Sequence, residues 1–78
     1  MSVARMADAD KLDELHMTIL GELSEGRGTP SFIGKRVGES RQLVSNRLHD
    51  LIMADLAEKV DTGLYEITDK GRDALDDK

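Results

Sequence analysis

Four side chains able to hydrogen-bond to nucleic-acid bases follow one another at helical spacing: Gln42, Ser45, Asn46 and His49. At about 100° per residue, Gln42, Asn46 and His49 lie on one side of a helix, and Ser45 lies at its edge. Glutamine and asparagine amides pair with adenine in the major groove of DNA, and a serine hydroxyl pairs with several bases. A buried face would be apolar, and a merely solvated face would favour Glu and Lys. We therefore predict that these residues read bases, with a polar surface that binds no ligand as the alternative.

Cationic side chains cluster around this face, although the whole chain is acidic. The net charge is −5, yet the segment from Gly26 to His49 contains five Lys and Arg residues and one acid, Glu39. This uneven distribution predicts one cationic surface on an otherwise acidic protein. Such a surface binds phosphate groups, which orient a protein on DNA without reading its sequence. The predicted phosphate contacts are Lys35, Arg36, Ser40, Arg41, Arg47, Lys59 and Thr62.

Some of these residues have an alternative interpretation in which they only stabilise the fold. The same is true of His16, which could otherwise be considered as a metal ligand. Arg47 could pair instead with an acid on the first helix or on the hairpin that follows the third helix. Lys59 and Thr62 lie on that hairpin, whose short tip also contains Asp61, an acid that opposes phosphate contact. His16 falls in an apolar stripe, so we expect it to be packed and hydrogen-bonded. Nothing gives His16 partners at the spacing of metal ligands.

The base-reading residues must be positioned by two helices that meet at a tight turn. Gly34 is small enough for two helices to touch, Gly38 permits the turn, and Val44 is an apolar wedge between them. The spacing is four residues from Gly34 to Gly38 and six from Gly38 to Val44. This is the steric pattern of a helix-turn-helix, in which the second helix enters the major groove.

The flanking sequence predicts a helix before this pair, and a hairpin and a short helix after it. A stripe of apolar residues at helical spacing marks the first helix, and a change to a period of two marks the hairpin. Phe32, Ile33 and Val37 are the expected apolar contacts of the second helix. The predicted elements are a helix over 11–24 capped by Asp10, a helix over 30–37, a helix over 41–54 ended by Asp55, strands over 56–60 and 64–67 around the turn 61–63, and a short helix capped by Thr68.

These segments resemble winged helix-turn-helix transcription regulators. Residues 33–51 resemble the two helices of the motif, and Tyr65-Glu66-Ile67-Thr68-Asp69-Lys70-Gly71-Arg72 resembles the end of the wing and the start of the closing helix. The resemblance covers about residues 12–75. It departs at Glu39, where an apolar residue usually closes the turn, and at Asp55, where glycine usually ends the reading helix.

The resemblance is especially to small repressor-like regulators of salt-adapted archaea and their viruses. The chain has ten Asp against six Glu and only five Lys, a composition typical of salt-adapted proteins. The resemblance implies a mainly α fold with a small β-hairpin: a three-helix core, a two-stranded wing and a short C-terminal helix. It also implies a transcription regulator, most often a repressor, that inserts the helix 41–54 into the major groove of double-stranded DNA.

Length and composition limit the other classes of function. The 78 residues fit one domain, so we expect a flexible tail over 1–8 and a DNA-binding domain over 9–78. The absence of cysteine excludes disulfides and thiolate metal sites. No apolar run suits a membrane span or a signal peptide, which predicts a cytoplasmic protein. With no phosphate loop and no arrangement of catalytic residues, we expect neither an enzyme nor a cofactor, metal or small-molecule ligand.

Two further expectations concern partners. A core this small gains stability from dimerisation, and the long amphipathic first helix, with Met6 and Met17, predicts a homodimer through that helix. Such a dimer would place two reading helices about 34 Å apart, one DNA turn. The alternative function is a winged helix that binds protein without binding DNA, and the net acidity of the chain favours it.

Overall fold

The computed structural model describes residues 13–76. In chain order the elements are α1 (Glu14–Ser24), α2 (Pro30–Val37), α3 (Arg41–Met53), β1 (Ala57–Asp61), β2 (Leu64–Ile67) and α4 (Asp69–Asp76). The two strands pair antiparallel, the hairpin packs against α1 and α3, and α4 packs against α1. This is the predicted order of elements. The predicted tail over 1–8, Met6 and the proposed cap Asp10 lie outside the described residues.

The core lies where the three first helices face the hairpin. Val44 is completely buried on α3, as expected of the wedge residue. Burial of each large apolar side chain contributes about 1.5–3 kcal/mol before conformational entropy is counted. The other buried apolar residues are Ile19, Leu20, Leu23, Ile33, Leu48, Leu51, Ala54, Leu56, Ala57 and Ile67.

The turn between α2 and α3 depends on two glycines, as predicted. A Cβ atom on Gly34 would lie 2.7 Å from the carbonyl oxygen of Glu39, so only glycine lets α2 approach the turn this closely. Gly38 ends α2 with φ of 78°, a left-handed conformation that glycine adopts without strain. Glu39 itself is exposed, so the turn closes without the apolar residue that the resemblance led us to expect.

The interpretation of Phe32 as an apolar contact of the second helix was wrong. The side chain is 55% exposed, whereas Ile33 is 1% exposed and Val37 packs against the core. The burial of Ile33 turns the neighbouring Phe32 away from the core, because successive residues point about 100° apart around a helix.

The first helix begins at Glu14, three residues later than predicted. Asp13 is its N-cap and has extended backbone angles. The Asp13 carboxylate accepts from the His16 backbone N–H at 2.9 Å, and the Asp13 N–H donates to His16 Nδ1 at 2.8 Å. This reciprocal pair is a capping box in which histidine takes the place of the usual Glu or Gln. The substitution hid the true start of the helix in the sequence.

The hairpin begins one residue later than predicted and is tied to the loop before α2. Asp55 adopts a φ of 68°, which confirms the left-handed exit from α3. A bulge between Lys59 and Asp61 shifts the register ahead of the turn.

A bridge between the hairpin and the loop before α2 was not predicted: Gly28 and Tyr65 exchange two backbone hydrogen bonds, of 3.0 and 2.9 Å. This bridge holds the hairpin beside the N-terminus of α2.

Thr68 caps α4, as predicted. Its hydroxyl accepts from the Gly71 N–H at 3.0 Å and donates to the Asp55 carbonyl at 2.7 Å. The cap therefore joins the start of α4 to the exit of α3, which fixes both ends of the hairpin.

His16 links the start of α1 to the middle of α3. It is 5% exposed, and its Nε2 lies 2.7 Å from Asp50 Oδ2. Because Nδ1 accepts from the Asp13 backbone, the ring proton of neutral His16 lies on Nε2, which donates to Asp50. Arg47 Nη2 lies 3.0 Å from the Asp13 carboxylate in the same cluster. The prediction of a packed, hydrogen-bonded histidine is confirmed.

The Asp13 carboxylate should make stability depend on acidity. Its pKa is lowered chiefly by the hydrogen bond from the His16 backbone N–H, opposed by burial and assisted by the His16 ring and Arg47. A group whose pKa falls on folding stabilises the folded state above its unfolded pKa of about 3.9 and loses that contribution as pH falls further. Asp13 is half exposed, so solvent screening limits the contribution of its charge to about 0.5–1 kcal/mol.

We therefore expect Asp13→Asn, which keeps a good capping side chain, to lower stability by about 0.5–1 kcal/mol at pH 7. Urea melts of both proteins at pH 7, 5 and 3 measure the effect. The difference should shrink at pH 3, because the Asp13 carboxylate of the unfolded wild type takes up a proton there. If the difference in stability is the same at all three pH values, the charge of Asp13 does not contribute to stability.

Candidate nucleic-acid interface

An open groove of about 630 Å³ lies between the first turns of α3, the N-terminus of α2 and the hairpin. The bridge between Gly28 and Tyr65, a lining residue, holds the hairpin beside α2. Among the described residues, the lining includes two cations and no carboxylate, in a chain with 16 acidic residues. The lining residues are Thr29, Pro30, Ser31, Arg41, Gln42, Ser45, Lys59, Thr62, Gly63 and Tyr65.

The four predicted base-reading residues lie on the solvent side of α3. Gln42 and Ser45 line the groove, and Asn46 and His49 are exposed farther along the helix. Because they lie opposite the buried face of Val44, the predicted angular arrangement is present. Met53 extends the same face by one more turn and is 62% exposed.

Several of the predicted phosphate contacts are brought to this side of the molecule. Arg41, Lys59 and Thr62 line the groove. Lys35 is exposed and follows Ser31, which also lines the groove, by four residues on α2, so the two share one helix face. Ser40 is exposed, but its hydroxyl accepts from the Leu43 N–H at 3.1 Å and so caps α3.

Arg36 and Arg47 are engaged by carboxylates instead. Arg36 Nε lies 2.9 Å from Glu22 Oε1 on α1, and this ion pair raises the pKa of Arg36. Arg47 is 27% exposed in its side chain and pairs with Asp13, the cap of α1. The alternative reading of Arg47, an ion pair with an acid of the first helix, is therefore the one that the structure shows.

The acid at the tip of the hairpin is also engaged locally. Asp61 Oδ1 accepts from the Thr62 backbone N–H at 2.7 Å. The carboxylate thus stabilises the turn, and Thr62 and Gly63 remain in the lining of the groove.

Three groove residues with hydroxyl groups were not predicted: Thr29, Ser31 and Tyr65. Their hydroxyls could donate to phosphate oxygens. Thr29 also caps α2, since its Oγ1 accepts from the Phe32 N–H at 3.1 Å. In the sequence, alternation with Ile67 assigned Tyr65 only to a face of the hairpin. Its place in the groove depends on the bridge to Gly28, which leaves no pattern in the sequence.

Residues 13–76 present no metal site and no membrane span. No group of three or more His, Asp or Glu side chains there could hold a metal ion. No helix in this part of the chain is long and apolar enough to cross a membrane.

A comparison with solved structures gives a fold match. The chain is similar to the crystal structure of adhesin competence repressor from Streptococcus pyogenes, with a TM-score of 0.74 and 22% sequence identity. The match covers 96% of this chain and 60% of that chain, so this chain spans about three fifths of the other's length. The four helices and hairpin form the winged helix-turn-helix fold, as predicted. No protein-family model matches the chain, and a search of curated proteins found no match.

Proposed function

We propose that the protein binds double-stranded DNA in a sequence-specific manner and regulates transcription. The observation that carries this proposal is the groove beside α3, whose described lining has cations and hydroxyls but no carboxylate. In a chain of net charge −5, such a surface is suited to a polyanion. The fold similarity to a repressor supports the same function.

In this proposal α3 enters the major groove, and its exposed face reads bases. Gln42, Ser45, Asn46 and His49 contact base edges, and the adjacent hairpin follows the DNA backbone. Arg41, Lys35, Ser40, Lys59 and Thr62 contact phosphates. We assign Arg36 and Arg47 a structural role, because carboxylates of α1 and its cap hold both guanidinium groups.

Three finer points belong to the proposal. Repression follows the resemblance in the sequence and the name of the structural neighbour. An origin in a salt-adapted archaeon or its virus rests on the excess of Asp and the scarcity of Lys. A homodimer through the first helix would present two copies of α3 to successive major grooves.

Two arginines that carry the same charge should differ in their effect on DNA affinity. Arg41 lines the groove, whereas Arg36 is paired with Glu22 and is not among the described groove residues. We expect Arg41→Ala to weaken binding to every duplex and to lower the slope of log affinity against log salt by about one unit. Arg36→Ala should leave the affinity and its salt dependence nearly unchanged. Titration of labelled duplex at several salt concentrations measures both quantities. Equal losses of affinity in the two variants would contradict the assignment of Arg41 to phosphate contact.

Asn46→Ala should act differently, because a base contact carries sequence information. We expect it to weaken binding to a selected site by about 1–3 kcal/mol and to affect a scrambled duplex much less. If Asn46→Ala binds both duplexes as the wild type does, α3 does not read bases through this residue.

A further inference from the structure

Two polar contacts attach the middle of α3 to the start of α1. His16 Nε2 lies 2.7 Å from Asp50 Oδ2, and Arg47 Nη2 lies 3.0 Å from Asp13 Oδ2. Arg47 and Asp50 are three residues apart, so they project from the same side of α3, about one turn from each other. Asp13 and His16 are joined to each other by the capping box of α1. We call these four residues the α1–α3 cluster.

The α1–α3 cluster depends on direction, whereas the apolar contacts of α3 do not. The buried face of α3 consists of Val44, Leu48 and Leu51, and apolar attraction has no preferred direction. Hydrogen bonds depend on both distance and angle. His16 is 5% exposed, so water competes little for its contact with Asp50. Two such contacts on one side of α3 can therefore fix the rotation of this helix about its axis.

Two of the proposed base-reading residues are the immediate neighbours of the cluster on α3. Asn46 directly precedes Arg47, and His49 directly precedes Asp50. Because successive residues lie about 100° apart around one helix, a rotation that moves the cluster residues also moves their exposed neighbours. A binding site must hold its side chains to within about 0.5 Å and about 10–20° of the productive geometry. The cluster is thus placed to control how Asn46 and His49 face the bases.

The first turn of α3 has a separate anchor. It follows the tight turn at Gly34 and Gly38, and the Ser40 hydroxyl accepts from the Leu43 N–H at 3.1 Å. Gln42 lies in this first turn, so its position depends on the turn and the cap. Loss of the α1–α3 cluster should therefore affect the two halves of α3 differently.

We propose that His16 and Asp50 are positioning residues, whose contact holds the second half of α3 at the rotation that base reading requires. The other two members of the cluster give a second point of attachment. The cluster acts through Asn46 and His49 and itself contacts no base. This inference rests on the proposed function, because it concerns how the same helix reads DNA.

Selection of binding sites from random duplex DNA by single variants tests the positioning role. Gln42→Ala and His49→Ala first identify the base positions that each residue reads, because each variant should lose preference at its own position. Asp50→Ala removes the acceptor of His16 Nε2. We expect it to lower the preference at the His49 position by about fivefold or more, the effect of losing a base contact, and to keep the preference at the Gln42 position.

Asp50→Asn is the matched control. It removes the same negative charge, but its amide oxygen can still accept from His16 Nε2, so its preferences should equal those of wild type. Leu75→Ala controls for destabilisation alone, since Leu75 packs against the core from α4, and it should leave every preference in place. All variants are compared below their melting transitions. Equal losses in Asp50→Ala and in either control would overturn the inference.

Arg47→Ala gives a second measurement, which also decides the question if Asp50→Ala does not fold. A positioning role predicts a weaker preference at the His49 position and an unchanged slope of log affinity against log salt. A phosphate contact would instead lower this slope by about one unit and leave the preferences intact, which would overturn the inference.

The outcomes separate this inference from the proposed function. If wild type selects a sequence and Asp50→Ala keeps its preference at every position, or loses it equally at the Gln42 and His49 positions, the inference is overturned and the proposed function stands. If wild type selects no sequence, both are overturned.

Discussion

Val44→Asp is expected to abolish cooperative folding. Val44 is completely buried in α3, and it packs within the apolar cluster that joins the helices to the hairpin. An unpaired carboxylate there costs several kcal/mol, or must take up a proton to remain buried. A domain of this size has roughly 5 kcal/mol of stability to lose. We expect loss of the thermal transition measured by circular dichroism at pH 7.

Asn46→Asp is the matched control for this substitution. It introduces the same carboxylate into the same helix, two residues farther along, on the exposed face. Its melting temperature should stay within a few degrees of wild type, since exposed substitutions change stability by about 0.5 kcal/mol or less. A cooperative melt for Val44→Asp near that of wild type would show that Val44 is not the wedge of the motif.

Alanine at two helical glycines should have opposite effects on stability. At Gly34 the new Cβ would meet the Glu39 carbonyl oxygen at 2.7 Å, so α2 and the turn must move apart at a cost of about 1–3 kcal/mol. At Gly21, in the middle of α1, no described atom lies within 4 Å of the new Cβ. Gly21→Ala should therefore stabilise the domain by about 0.5–1 kcal/mol through helix propensity alone.

Urea denaturation of the two alanine variants gives both free energies of unfolding. Movement at the turn would also displace α3 relative to α2, so Gly34→Ala should weaken duplex binding while Gly21→Ala leaves it intact. Stabilisation by Gly34→Ala as large as that by Gly21→Ala would mean that the two helices do not touch at this glycine.

The local sequence predicted the fold well where steric demands are local. Gly34, Gly38 and Val44 have the spacing that a tight helix-helix turn requires, and all three occupy the expected positions. The change of period near residue 56 located the hairpin to within one residue. These features depend on residues that are close together in the sequence, so their spacing can be recognised there.

The ion pairs of the cationic side chains could not be predicted, because they join residues far apart in the sequence. Nothing near Arg47 in sequence identifies Asp13 as its partner, because the pair exists only when the start of α1 lies beside α3. Arg36 is likewise taken by Glu22 across the interface of α1 and α2. A guanidinium on an exposed helix predicts an ion pair as readily as a phosphate contact, and tertiary packing decides between them.

The sequence predicted the helix of the candidate site and only part of its surroundings. The solvent face of α3 follows from helical geometry once Val44 is buried. The hydroxyls of Thr29, Ser31 and Tyr65 also line the groove, where the Gly28–Tyr65 bridge pairs residues 37 positions apart in the chain. Helical periodicity therefore predicts the exposed face of α3, whereas the hydroxyl-bearing part of the groove lining requires the tertiary structure.

Selection of binding sites from random duplex DNA, repeated at several salt concentrations, tests whether the protein binds a particular DNA sequence. We expect enrichment of one sequence, with adenine at some of the selected positions if Gln42 and Asn46 make their amide contacts. Affinity for it should fall as salt rises, because the cations of the groove displace counterions from phosphates. No enrichment and no duplex binding at any salt concentration would contradict sequence-specific DNA binding and favour a winged helix that binds protein.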